Sequence, residues 1–217
     1  PGRIHNNCSG KHAGMLALAV AHDWPTEGYQ AEGHPVQARM RAEIERWTAV
    51  DRSEIATGVD GCGVVTFSLP VAGLARAFAG LGAAAVAGEP GPAAVVGAMT
   101  AHPFLVGGTD RLCTRLMEAT AGRVIAKVGA EGVYGALTRG GLGIGLKARD
   151  GAKRAAEVAL LGVLEALDEL EPGAREALER WARPDVRNTR GEVVGGVRPV
   201  VELEMVGDIV AGETNHG

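Results

Sequence analysis

Cysteine, lysine and aromatic residues are all scarce in this chain of 217 residues. Aromatic residues make up 4% of it, and the three cysteines are Cys8, Cys62 and Cys113. An odd number of widely spaced cysteines is not a disulfide framework and favours a reducing compartment, so we expect a cytoplasmic protein. The sequence contains no run of 18 apolar residues, so we expect no membrane-spanning helix and no membrane partner.

Lysine is the scarcer of the two basic residues, because only Lys11, Lys127, Lys147 and Lys153 occur. Arg does not deprotonate in proteins, whereas Lys can act as a base or as a neutral ligand, so each lysine is informative. The 22 basic residues face 26 acidic ones, which gives a net charge of −4. A nucleic-acid-binding protein needs a basic surface, so we expect no nucleic-acid partner.

Glycine is abundant, with 33 residues, and apolar residues make up 46% of the chain. The length and composition predict one globular domain over residues 1–217. The chain opens on Pro rather than Met, so we expect it to be part of a longer or processed polypeptide.

The order of apolar and turn-forming residues predicts a mixture of helices and strands. Helices are predicted from Gly10 to before Pro25, and at 35–48, 71–82, 92–102, after Gly108 with Thr109 or Asp110 as cap, 152–170 and 174–182. An extended segment at 54–63 is predicted to close in a tight turn, and strands at 64–69, 123–127, 133–138, 142–149 and 193–205. The strands at 123–149 predict an antiparallel meander, so the fold class is α+β, with an antiparallel sheet flanked by helices.

The densest polar cluster is His-Asn-Asn-Cys-Ser-Gly-Lys-His at residues 5–12, where the first helix begins. The positive end of a helix dipole favours a thiolate and other anions, and the three-residue spacing places Cys8 and Lys11 on one side of the first turn. The alternative is that Asn7 or Ser9 caps the helix and the remaining polar residues have no function.

A second cluster, Asp60-Gly61-Cys62-Gly63, surrounds a cysteine with glycines, so another group can approach its sulfur closely. Cys8 and Cys62 together suggest a metal site, although two isolated cysteines lack the spacing of a zinc knuckle and either could be a small buried residue. Cys113 lies in the apolar stripe of a helix and is interpreted as a core residue.

Lys127 ends a strand and is followed by a glycine-containing turn, Lys-Val-Gly-Ala-Glu-Gly. A lysine at that place can reach a groove, or it can be a surface residue with its ammonium in water. Lys147 and Asp150 at the next strand end are interpreted as a turn with a salt bridge, and His22, His34, His102 and His216 as surface or loop residues.

Taken together, H-N-N-C-S-G-K-H, V-D-G-C-G, P-x-x-V-G-G and K-x-G-A-E-G-V resemble the asparaginase II family, the Rhizobium-etli-type L-asparaginases. The resemblance covers most of residues 4–160. It implies a fold similar to that of serine β-lactamases and glutaminases, and hydrolysis of L-asparagine to L-aspartate and ammonia. It also implies Zn²⁺ held by Cys8, Lys11 and Cys62, with Asp60 and His12 beside the metal. Lys127 matches the catalytic lysine of the family, and we expect a homodimer.

The sequence departs from the family pattern in its nucleophile. The family uses a serine in a Ser-x-x-Lys motif upstream of the first cysteine, whereas here Ser9, Ser53 and Ser68 are followed three residues later by His, Ala and Val. We therefore expect a C-terminal portion of such a hydrolase, incomplete at its N-terminus and inactive by itself. The alternatives are a glutaminase or β-lactamase-like amidase, a zinc-stabilised interaction module, and an inert fragment with an uncovered sheet edge.

Overall fold

A computed structural model describes residues 2–6 and 8–205 of the chain. In that part the α-helices are α1 (Ser9–Ala21), α2 (Pro35–Thr48), α3 (Val71–Val86), α4 (Pro90–Ala101), α5 (Pro103–Gly107), α6 (Leu112–Ala119), α7 (Lys153–Ala166) and α8 (Pro172–Ala182). The strands are β1 (Ala56–Val59), β2 (Val65–Ser68), β3 (Val124–Val128), β4 (Val133–Thr138), β5 (Gly143–Lys147), β6 (Asp185–Arg187) and β7 (Val193–Gly196). Short 3₁₀ helices cover Arg3–His5 and Arg52–Glu54. The α+β prediction is confirmed.

The strands form three small antiparallel sheets: the hairpin β1-β2, the meander β3-β4-β5 and the hairpin β6-β7. The predicted meander is confirmed, with Lys127 opposite Gly135 and Gly135 opposite Gly145. The strand predicted over 193–205 was too long, because only Val193–Gly196 pairs, and its partner is β6.

Several helix boundaries differ from the prediction. The helix that begins after Gly108 has Arg111 as its N-cap, with no side-chain cap from Thr109 or Asp110. The predicted helix 152–170 ends at Ala166, because Asp168 takes a left-handed backbone conformation with φ 55° and Glu169 donates its N–H to the carbonyl of Leu164. The helix α5 was not predicted.

Glycines on one face of the meander let α3 lie directly on the sheet. A Cβ at Gly143 would overlap the carbonyl oxygen of Ala75 and the backbone nitrogen of Ala79, and a Cβ at Gly135 would overlap the ring of Phe78. Since side chains alternate along a strand, Lys127 is on this same face, opposite Gly135. These glycines thus let α3 approach the backbone of β4 and β5, and Lys127 lies on the same face of the sheet.

The opposite face of the meander holds the main core. Leu116 and Met117 of α6, Leu160 and Leu161 of α7 and Val124 of β3 are almost fully buried in the cluster that this face shares with the helices. Burial of such side chains stabilises the fold by about 1.5–3 kcal/mol each. This core fixes the strand that ends at Lys127.

A second, smaller core joins the N-terminal helices to the first hairpin. It consists of Met15, Ala19, Val36 and Val64, with Tyr29 and other partly buried side chains packed against them. It brings the start of α1 close to the turn between β1 and β2, where the polar clusters meet.

No single helix of the described residues is long and apolar enough to cross a membrane, but α3 and α4, bent by 101°, together have the length and composition.

Candidate functional site

Cys8 and Lys11 occupy the first turn of α1, as their spacing predicts. Cys8 is the N-cap residue, its N–H is donated to Asn6 Oδ1 at 2.8 Å, and its carbonyl accepts from His12 N at 3.1 Å. The Cys8 side chain makes no capping hydrogen bond, and Ser9 donates its hydroxyl to the carbonyl of Ile4 at 2.9 Å. Asn7, the other predicted cap, lies outside the described residues.

Asp60 organises the turn that carries Cys62. Its Oδ1 accepts the N–H groups of Cys62 at 2.8 Å and Val64 at 3.0 Å, and its carbonyl accepts that of Gly63 at 3.0 Å. Gly63 has φ +77°, a conformation that favours glycine. The Gly-Cys-Gly sequence thus forms a tight turn wound around one carboxylate.

The same carboxylate joins the two clusters. Asp60 Oδ2 accepts a hydrogen bond from Lys11 Nζ at 2.5 Å, across 49 residues of sequence. This hydrogen bond, together with that from Val64, lowers the pKa of Asp60 to about 2. Partial burial alone would lower the pKa of Lys11, but Asp60 and the neighbouring Cys8 and Cys62 outweigh it, and the pKa is raised. Lys11 is therefore an ammonium here.

The two thiols are close neighbours. A hydrogen bond with Cys8, followed by partial desolvation, raises the pKa of Cys62. Both thiols also lie close enough to Lys11 to affect its charge, and all three cysteines of the chain are free. The structure thus brings together Cys8, Lys11, Asp60 and Cys62, residues that the two sequence motifs singled out.

This donor set fits the zinc ion that the resemblance implies. Zinc prefers thiolate and nitrogen donors, and two thiols and one amine meet here. Among the described residues, no three His, Cys, Asp or Glu side chains are placed to hold a metal ion, so a zinc site here needs Lys11 as a ligand. Metal binding would require Lys11 to give up its proton and its ion pair with Asp60.

His12 lies beside this cluster but contacts a residue that sequence reasoning missed. Its Nδ1 and the hydroxyl of Tyr29 are 2.5 Å apart, and the two rings meet edge-on at 89°. Tyr29 belongs to the loop between α1 and α2. One of only two tyrosines in the chain, within an otherwise polar and glycine-rich loop, was the available signal.

Lys127 is exposed at the end of β3, and its Nζ donates to the carbonyl of its neighbour Val128 at 2.6 Å. The described contacts do not join it to the cysteine and lysine cluster, so its catalytic role stays a prediction. Cys113 is fully buried, and its Sγ accepts the N–H of Val128 at 3.3 Å. The buried Cys113 thiol thus contacts the backbone of the residue that follows Lys127.

A cavity of about 590 Å³ separates the β1-β2 hairpin from the meander. Its lining is mainly apolar, with hydroxyl groups and one charged side chain: Thr57, Gly58, Thr66, Phe67, Ser68, Leu69, Val71, Leu74, Val133, Leu146 and Lys147. The predicted salt bridge between Lys147 and Asp150 is wrong, because Lys147 donates to the carbonyl of Ala148 and Asp150 accepts from Ala152 N. Lys147 and Lys127 share one face of the sheet.

Comparison with known proteins agrees with these motifs. No curated protein is a significant match to the chain. The model of the L-asparaginase II family matches residues 1–199, which include both cysteine motifs and Lys127. The chain therefore belongs to the L-asparaginase II family.

Proposed function

We propose that this chain is the metal-binding part of an amidohydrolase that converts L-asparagine and water to L-aspartate and ammonia. The observation that carries the proposal is the meeting of Cys8, Lys11 and Cys62 around the Asp60 turn. Family membership supports an asparaginase-type amidase in general.

The roles follow from the chemistry of each side chain. Zinc, when bound to two thiolates and an amine, would supply positive charge that orients an anionic substrate. Lys127 would add positive charge near the amide oxygen, where negative charge develops during attack. Asp60 would hold the Cys62 turn in place through its two backbone hydrogen bonds. A serine, activated by a lysine that desolvation keeps neutral, would attack the amide carbon and release ammonia, and water would then hydrolyse the acyl-enzyme to L-aspartate and the free serine.

The serine and lysine of that last step are not found as a Ser-x-x-Lys motif in these 217 residues. Ser9, the serine nearest the cluster, donates its hydroxyl to a backbone carbonyl. Loss of the nucleophile of a serine hydrolase costs on the order of 10⁶ in turnover. We therefore expect no enzymatic release of ammonia from asparagine by this chain, and robust release would contradict this and assign Ser9 as the nucleophile.

Metal content is the direct test of the site. The purified chain should hold about one zinc, with Zn–S distances of about 2.3 Å by X-ray absorption. Cys8→Ala should lose the metal, whereas Cys113→Ser, which alters a cysteine of the core, should keep it. Zinc retained in full by Cys8→Ala would reject the assignment.

A non-enzymatic function is the second candidate, and the absence of a Ser-x-x-Lys motif favours it. A zinc-stabilised interaction module would keep the metal and the fold but lack turnover even when the upstream sequence of its gene is supplied. Fold alone does not choose between asparagine, glutamine and a β-lactam as substrate. Turnover of the three substrates by the complete protein separates these alternatives, and light scattering tests the expected homodimer.

A further inference from the structure

The contact between His12 and Tyr29 lies next to the proposed zinc site, but neither residue is one of the proposed zinc ligands. His12 follows Lys11 directly and lies four residues after Cys8, so the side chains of His12 and Cys8 leave the same side of the first turns of α1. The Nδ1 of the His12 ring is bound to the Tyr29 hydroxyl at 2.5 Å. Its other nitrogen, Nε2, has no hydrogen-bond partner among residues 2–6 and 8–205.

Tyr29 is itself held by a buried side chain. Gln37 of α2 is 3% exposed, and its Nε2 donates to the carbonyl of Tyr29 at 2.8 Å while it touches Met15 Sδ at 3.3 Å. Its Oε1 is buried without a partner in the described part of the chain. A buried acceptor without a partner costs roughly 1–3 kcal/mol, which offsets part of the stabilisation from the two contacts of the Gln37 amide nitrogen.

The loop is anchored at a second point by His34. Its Nδ1 accepts the N–H of Val36 at 3.1 Å and its Nε2 donates to the carbonyl of Pro25 at 2.8 Å. Pro25 and Tyr29 are therefore both tied to the start of α2. Two hydrogen bonds from the start of α2, one from His34 and one from Gln37, therefore hold the loop that places the Tyr29 hydroxyl against His12.

The chemistry of the pair decides which nitrogen carries the proton. A neutral imidazole has one N–H and one acceptor nitrogen. A phenol O–H is a stronger donor than an imidazole N–H, and the imidazole nitrogen is a stronger acceptor than the phenol oxygen. The favoured arrangement has Tyr29 donating to Nδ1, which places the proton of His12 on Nε2.

We propose that Tyr29 is a positioning residue that holds His12 as an Nε2–H donor on the side of α1 that carries Cys8. In that form His12 donates a hydrogen bond to a carboxylate of the substrate and does not serve as a zinc ligand. This role rests on the proposed function, since the carboxylate is that of the amino-acid amide or its product. Gln37 contributes indirectly, because its hydrogen bond to the Tyr29 carbonyl fixes the backbone of Tyr29.

The test is the imidazole nitrogen spectrum of ¹⁵N-labelled chain at a pH at which His12 is neutral. Wild type should show one protonated nitrogen, Nε2, and one acceptor, Nδ1. Tyr29→Phe keeps the ring but removes the hydroxyl, and should give an exchanging mixture of the two forms. Tyr134→Phe removes the other tyrosine hydroxyl of the chain, which bonds to Glu157, and should leave His12 unchanged. Gln37→Met should shift His12 in the same direction as Tyr29→Phe, by less.

The donor role is tested by adding L-aspartate. Binding should move the Nε2–H signal in wild type, and Tyr29→Phe should weaken binding up to about tenfold, as expected for loss of one well-placed hydrogen bond. A His12 spectrum that is the same in Tyr29→Phe and wild type overturns the positioning role. Aspartate that binds without moving the Nε2–H signal overturns the donor role. Absence of any aspartate binding counts against both the asparaginase site and the donor role, whereas the comparison of tyrosine variants needs no ligand and still decides the positioning.

Discussion

At the scale of single residues, the polar contacts of this chain pass through a few side chains that each serve two partners. Asp60 uses one oxygen for the backbone of its own turn and the other for Lys11. Tyr134 is buried and donates to Glu157 at 3.2 Å, while Glu157 also pairs with Lys153 at 3.1 Å. A change in the protonation of such a shared group therefore alters the contacts of both its partners. Titration of one partner can report on that change.

Asp60→Asn should lower the pKa of Lys11, because the variant keeps an oxygen for the turn and loses the charge that stabilises the ammonium. The measurement is the ¹³C or ¹⁵N titration of the Lys11 side chain in metal-free protein. Asp51→Asn is the matched control, since Asp51 also accepts the N–H two residues later, from Ser53 at 2.8 Å. An unchanged Lys11 titration in Asp60→Asn would show that the ion pair contributes nothing in solution.

The three thiols should differ widely in reactivity. Cys62 is exposed, whereas Cys113 is fully buried and desolvation raises its pKa. If only global unfolding exposes Cys113, its alkylation should be slower by on the order of 10³ or more. Peptide mapping after timed alkylation with iodoacetamide of metal-free protein measures this, and comparable rates for Cys62 and Cys113 would contradict the described core.

Tyr134 should make the fold sensitive to alkali. Desolvation, and then the nearby Cys113 and Glu157, raise the pKa of Tyr134 above the ordinary range. A group with a raised pKa contributes stability that is complete below its unfolded pKa of about 10 and is lost as pH rises through the folded pKa. The free energy of unfolding should fall above about pH 10 in wild type and in Tyr29→Phe, and less steeply in Tyr134→Phe. Equal slopes in all three proteins would remove Tyr134 as the cause.

At the scale of elements, α3 can lie close to the meander because the sheet has glycines, which lack a Cβ, at the points of contact. Gly143→Ala should destabilise the fold by about 1–3 kcal/mol, the usual cost of overpacking, because the new Cβ meets helix backbone that cannot rotate away. Gly97→Ala, on α4 with no atom within 4 Å of the new Cβ, should instead stabilise by about 0.5–1 kcal/mol. Chemical denaturation measures both, and a neutral Gly143→Ala would show that α3 is free to lift.

The elements also show where sequence reasoning succeeds. Local signals predicted α2 and the meander within a few residues. They are a proline in the first turn of a helix, apolar residues with a helical period of 3.6, and strand-like runs separated by glycine-containing turns. The end of α7 was missed because no Gly or Pro lies between it and Pro172: Asp168, a non-glycine residue, takes the left-handed conformation, and Leu170, 2% exposed, lies in the core. The Tyr29 contact with His12 was missed because it depends on how a loop meets a helix.

At the scale of the whole molecule, the sequence predicted the local parts of the site but not most contacts between distant residues. Cys8 and Lys11 were paired by their spacing, but 49 residues separate Lys11 from Asp60. The two cysteines suggested that the motifs meet, and only the resemblance added Lys11 and Asp60 to that site. The orientation of Lys127 was not predictable, because its exposed ammonium bonds to the neighbouring carbonyl. Composition and periodicity carry no information on such contacts.

A metal bound between α1 and the β1-β2 hairpin should stabilise the whole chain. Ligand binding to the folded state alone contributes about 2.7 kcal/mol at a free concentration one hundred times Kd. For a protein of this size, that corresponds to a rise in Tm of roughly 5–10 °C. Calorimetry with added zinc and with a chelator measures the shift, Cys8→Ser should show none, and a wild-type Tm indifferent to zinc would contradict the site.

The direct seating of α3 on Gly135, Gly143 and Gly145 also limits how this family can exchange parts. A helix grafted from a relative will fit only if the strands beneath it come from the same donor, since helix atoms lie so close to these glycines that a side chain there would overlap them. Substitutions at these strand positions and along α3 should therefore appear together in related sequences. The helix and the meander behave as one inherited unit, and recombination between them should be rare.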